Sequence, residues 1–293
     1  MQLTKAIGIT ASVTMALLAL DLPCDGQTSC QLPRSGRDQV TLARATVKAT
    51  PGRLSALALE PLAYLEYACP EGAASVLRTA LASVSAGPDL DEHTLEDIAE
   101  LKGLLAVTEA VARGRSGQRS EARATLLDTR EKYASERVQQ QGTLWLADLL
   151  LADGKDPLWS KVEADLGRIA EIPGPGWMAK NVLVAHWSND LGAAKAFAHV
   201  QQKLGDSPGL QDSLELTTIS VRLLLDLGRD LDAAVLVANL DPEVGRQLLD
   251  PRARIEFLRV AAEAWKRQER AGFDPNSSEK SRIYAAAYQE ALR

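Results

Sequence analysis

Apolar positions recur at helical spacing along this chain, and small helix-breaking steps interrupt them. The steps fall at Gly72, Gly114-Arg115-Ser116-Gly117, Gly154, Asp190-Leu191-Gly192, Gly228 and Gly272, at an interval of roughly 36 to 45 residues. A fixed period of this size is the mark of a helical-repeat array, in which each unit buries its apolar face on its neighbours. Leu101, Leu104, Leu105, Thr108 and Val111 share one helical face. The stretch 207–227 differs, because Leu214, Leu216, Ile219, Val221, Leu223, Leu224, Leu225 and Leu227 spread nearly all round it. Such a helix is expected to be buried on several sides. The last stretch, 278–292, carries Ile283, Ala287 and Ala291 on one side and reads as a capping helix.

The predicted helices are 38–49, then pairs at 53–68 and 72–85, 91–113 and 118–134, 136–152 and 156–171, 176–189 and 191–204, and 207–227 and 230–240, with a terminal group at 251–271 and 278–292. Acid-then-proline steps mark several starts: Asp156-Pro157, Asp241-Pro242, Asp250-Pro251 and Asp274-Pro275. An aspartate accepts the orphan N–H bonds of a first turn, and proline at the first helical position loses no hydrogen bond. No convincing alternating strand occurs; Val235-Leu236-Val237 follows Ala233-Ala234 in a helical context. Ile172-Pro173-Gly174-Pro175-Gly176 reads as a linker able to kink the array at 172–176.

The segment Leu225-Asp226-Leu227-Gly228-Arg229-Asp230-Leu231-Asp232-Ala233-Ala234 resembles the tetratricopeptide-type turn: helix, glycine, a polar step, then paired alanines opening the next helix. Asp190-Leu191-Gly192-Ala193-Ala194 and Gly117-Gln118-Arg119-Ser120-Glu121-Ala122 are looser versions. The interval is longer than in that family, and its tryptophan and tyrosine positions are absent. The resemblance, over about 53–271, implies an all-α, right-handed α-solenoid of antiparallel helix pairs with no sheet, and a habit of binding proteins. It transfers no functional residue.

Composition narrows the class. The chain has 293 residues, 46% hydrophobic and 25% charged, which argues against disorder of the whole chain. Net charge is −6, and no long run of Lys or Arg occurs, which argues against nucleic acid as the main partner.

The first residues are of another kind. Lys5 precedes an uncharged apolar stretch at 6–20, too short for a membrane span, which needs about 20 residues, but apt for a signal-peptide core. Residues 1–26 are expected to be a cleaved signal peptide, leaving no integral span, with the mature protein periplasmic or secreted; the alternatives are a hydrophobic helix retained as an anchor or as part of the core. Pro23 beside Cys24 argues against a lipidated cysteine. Cleavage leaves Cys30 and Cys69, an even pair that an oxidising compartment can join. The bond would tie the 27–50 segment to the 51–293 helical domain, stabilising the fold by about 4 kcal/mol in the chain-entropy picture.

The inventory for chemistry is thin. His93, His186 and His199 have no metal-ligating partner at helical spacing, no phosphate loop is present, and Ser277-Ser278-Glu279-Lys280 reads as a helix start rather than an acyl-enzyme motif. No catalytic, cofactor or metal residue is expected. Trp145 and Trp159 read as core. Trp177 and Trp187 share a helix with Lys180 and Asn181, and that mixture could form a half-exposed face for a protein partner. The function expected is a non-enzymatic scaffold or adaptor in a bacterial-type cell envelope, part of a larger assembly such as a motility or secretion machine. The alternatives are an accessory subunit that positions a catalytic partner or a glycan, and a free-standing helical hydrolase.

Overall fold

The computed structural model describes residues 30–50, 53–84, 92–153, 156–206, 209–238, 240, 242–245, 247–272 and 274–292. The expected signal peptide, with Cys24, lies outside them, as do the turn at Gly154 and the cap at Asp241.

Among the described residues the fold is all-α, without strands. In order, the helices are α1 (Arg34–Ala49), α2 (Leu59–Glu66, led by a 3₁₀ turn at Leu54–Ala58), α3 (Pro70–Val84), α4 (Glu92–Arg115), α5 (Arg119–Lys132), α6 (Glu136–Asp153) and α7 (Trp159–Ile169). Then come α8 (Pro175–Leu191), α9 (Ala193–Gly205), α10 (Leu210–Asp226), α11 (Asp230–Ala238), the single turn α12 (Pro242–Gly245), α13 (Pro251–Ala271) and α14 (Ser277–Leu292). Most consecutive helices pack on each other, α11 packs on α13 past the single-turn α12, and α4 also reaches α6, α6 reaches α8 and α10 reaches α13. None is long and apolar enough to cross a membrane among the described residues.

The caps follow the sequence logic. Asp156, Asp250 and Asp274 each accept the backbone N–H two residues on, at 2.8 Å. Arg123 forks onto Asp156, and the bond from the Leu158 N–H, with that arginine, holds its carboxyl below the usual range. Gly228 takes φ +68° between α10 and α11, where a side chain would be strained. Gly72 was expected at a turn but lies within the first turn of α3, which Pro70 opens. Its glycine is needed for another reason. A Cβ there would sit 2.6 Å from the Tyr64 ring.

The apolar faces form two main cores. The first runs from Ala58 to Leu183 and the second from Trp177 to Tyr284. Helix α8 belongs to both: Met178, Ala179, Val182 and Leu183 face the first, Trp177 and Val184 the second. Helix α10 is buried nearly all round, as its pattern requires. The break at 172–176 leads directly into the shared helix. On α14 the expected stripe holds at Ala287 and Ala291, which pack against the second core, and is corrected at Ile283, which is exposed. Tyr284 is the buried residue, its ring edge-on to Phe257 and its hydroxyl donating to the Leu240 carbonyl.

A third, small cluster joins α1 to α2 through Leu32, Val40, Ala63, Tyr67 and Cys69. The 34–49 segment is therefore packed helix rather than a loose tether. Cys30 and Cys69 form a disulfide with their Cα atoms 5.9 Å apart. Helix α1 also touches α14, so the first and last described helices meet.

Candidate functional site

Lys180 and Asn181 open the description, because the structure gathers other charges around them. They lie on the second turn of α8, which Pro175 starts. Lys180 Nζ donates to Asp212 Oδ1 and Glu215 Oε2 on α10, both at 2.6 Å. Asn181 donates to the Trp177 carbonyl and accepts from Arg222 Nη1, each at 2.7 Å. Glu215 and Arg222 are two turns apart on one side of α10. Across from Arg222 stands Glu256 of α13 at 3.7 Å, and Arg259 forks onto both oxygens of Glu256 at 2.7 Å. These groups make a polar seam through α8, α10 and α13.

The middle of the seam is enclosed, while Asp212 and Arg259 at its ends reach the surface. Glu256 is 1% exposed and Glu215 5%. Burial pulls the Arg222 guanidinium below its ordinary range against the opposing pull of Glu256 and Asp226, and burial also raises the Asp226 carboxyl. Arg222 Nε and Nη2 find no protein acceptor. Charges held this way gain little net stability over an apolar core, but removing one partner strands the other.

A second knot continues the seam toward the N-terminus. Gln211 joins Glu215 to the Leu249 N–H, and Leu249 precedes Asp250. Asp250 caps α13 and also grips the Arg252 side chain through both oxygens, at 2.6 and 3.1 Å. Arg252 then donates to the Gly174 carbonyl in the α7–α8 break at 3.0 Å, and to the Glu66 carbonyl at the end of α2 at 3.2 Å. One buried guanidinium thus ties three distant segments. Burial opposes its charge, but the Asp250 and Glu66 carboxylates more than offset this and raise its pKa. Beside it, burial raises the Glu66 carboxyl and pushes the Tyr67 hydroxyl up to about 12.

Next to this knot is a groove of about 400 Å³ between α1, α12–α13 and α14. Ile255, Leu258, Ala287 and Ala291 give it apolar lining, and Asp38, Glu243 and Glu290 give it carboxylates.

The tryptophan expectation is corrected. Trp177 is 2% exposed and packs in the second core. Trp187 is half-buried, donates to Glu163 at 2.8 Å and lies against His199. With Lys180 and Asn181 also satisfied internally, the four residues form no exposed face. The physical reason is that α8 is covered on two sides, by a core on each. Trp145 and Trp159 are core as expected, and His186 stacks on Trp159 at 4.0 Å. His93 is exposed beside Glu96. Lys280 of the serine–lysine spacing pairs with Asp274 and lies over the Trp265 ring, 4.0 Å from its centre.

Sequence reasoning missed Asp212, Glu215, Arg222, Asp250, Arg252 and Glu256 as a group. The available signal was Glu215 and Arg222 standing seven apart on one side of a leucine-rich helix, with Asp250 read as a cap alone.

No known protein family, curated protein or solved structure matches this chain.

Proposed function

We propose that this chain is an exported, non-enzymatic scaffold or adaptor of a bacterial-type cell envelope, holding a partner protein of a larger assembly. The helices, in this reading, form a right-handed solenoid of antiparallel pairs, and the mature protein is periplasmic or secreted. The observation that carries the reading is the packing order. Nearly every helix lies on the one before it, which is the neighbour-to-neighbour packing that stacked helix pairs use to build a binding surface. The Cys30–Cys69 bond adds support for an oxidising compartment.

Crosslinking of intact, oxidised protein in an envelope fraction, followed by mass spectrometry, tests it. One protein recovered repeatedly, and lost when groove residues such as Leu258 and Ala287 are changed to arginine, supports the scaffold. Recovery of nothing above background overturns it.

A further inference from the structure

We propose that Cys30–Cys69 is a clasp between the two ends of the chain: only the oxidised protein holds α1 against α14, and so only it builds the groove between them. This inference stands apart from the scaffold reading and concerns how one wall of that groove is fixed.

Besides the disulfide, α1 is held by a small apolar contact and by Arg44, which donates to Glu60 of α2 at 2.7 and 2.9 Å. Of its sixteen residues only Gly36, Val40 and Ala43 are buried, while Leu42 points outward, 68% exposed. Yet α1 supplies Arg34, Ser35 and Asp38 to the groove, opposite Ala287, Glu290 and Ala291 of α14. The disulfide acts at the decisive place. Cys30 lies just before the first turn of α1, and Cys69 lies fully buried at the start of α3. The bond spans a sequence separation of 39 residues. Closing such a loop favours the docked state on the order of several hundred-fold in the chain-entropy picture.

The backbone beside Cys69 is set for this role. Ala68 adopts φ 54°, the left-handed region that costs an alanine energy, while Cys69 N–H donates to the Tyr64 carbonyl at 2.9 Å. Arg115 donates to the Ala68 carbonyl from the end of α4. Cys69 is thus anchored to α2, α3 and α4, whereas Cys30 belongs to the weakly held end.

Closure requires an oxidant of the disulfide class. Its S–S bond is reduced to two thiols as the Cys30 and Cys69 thiols give up two protons and two electrons and form their own S–S bond. A dithiol reverses this. Its thiolate attacks half-buried Cys30 Sγ, Cys69 leaves as a thiolate and is protonated, and the second thiol of the reagent resolves the mixed disulfide.

The test is hydrogen exchange on the full chain, with and without dithiothreitol, with reduction verified by alkylation and intact mass. Reduction is expected to speed exchange across 34–49 by at least about tenfold. The last turns of α14 should follow by a smaller factor, and α4 to α6 should not change. Cys30→Ser without reagent should reproduce the pattern. If both thiols are alkylated and α1 keeps its protection, the clasp is wrong. If every helix accelerates equally, the bond is a staple for the whole fold and the proposal also fails.

Discussion

The two cores are both built from alanine and leucine, yet they treat their polar residues differently. In the first, buried hydroxyls turn back on their own helix: Thr108 donates to the Leu104 carbonyl and Thr129 to that of Thr125, both at 2.7 Å. Most of its ion pairs, such as Arg78–Glu109 and Arg119–Asp153, lie toward the surface, with Arg130–Asp165 the more buried exception. In the second, charges cross between helices, from Lys180 to Glu215 and from Arg222 toward Glu256. Apolar packing tolerates small slips of one helix past another, whereas a charge pair buried between two helices does not. The first core thus gains its stability from burial, and the second fixes register by polar pairs at a cost in desolvation.

The severest way to break this contrast is Leu223→Asp. Leu223 is 1% exposed in the last turn of α10, and a carboxylate there has no partner. The expected outcome is loss of cooperative folding for α9 to α13 while α4 to α6 keep their amide protection. Equal loss in both regions would show one core instead of two.

Arg252→Met comes next. It leaves Asp250 buried without its cation and two carbonyls without their donor. Destabilisation of about 3–5 kcal/mol is expected in urea unfolding. A loss below about 1 kcal/mol would mean that the three segments are held by apolar contact alone.

The third prediction concerns pH and lies in the first core. Burial raises the Asp148 carboxyl to about 6, against the pull of Arg115 and Arg119. A carboxyl raised on folding binds its proton more tightly in the native state, so its favourable contribution is complete below its unfolded pKa and is lost as pH rises through about 6. Asp148→Asn should therefore be more stable than the parent at pH 8, and the advantage should vanish near pH 4. Urea midpoints at the two values decide it. An advantage independent of pH would point to packing instead.

The smallest effect is expected at Ala68→Gly. Relief of the left-handed backbone should add about 0.5 kcal/mol, reduced by the lost contact of its methyl with the first core. A melting temperature that falls would show the methyl to matter more than the strain.

Much of the helical order is legible in the sequence, because it depends on local causes. Asp250-Pro251 starts α13 where it should, and α10, with leucines nearly all round it, is buried as its pattern demands. Cys30 and Cys69 are joined as their parity suggests. The misreadings share one cause, which is distance. Gly72 looks like a breaker until Tyr64 is placed against it. Trp177 looks half-exposed until a second core covers its side of α8. Arg252 is an ordinary helical arginine in sequence, and its bonds to the carbonyls of Glu66 and Gly174 join residues 186 and 78 positions away. Local periodicity carries no information at such separations.

The double membership of α8 also governs what a partly delivered chain looks like. When the chain emerges from its N-terminus, the first core is complete once Leu183 is available. At that moment Trp177 and Val184 still face water, because α10 and α13 have not arrived. The growing protein therefore carries a sticky flank for as long as it takes to deliver α9 and α10, and any helper that guards nascent chains would meet it there. Arg252 arrives later still, so the bonds that draw the break at 172–176 and the end of α2 together are among the last to form.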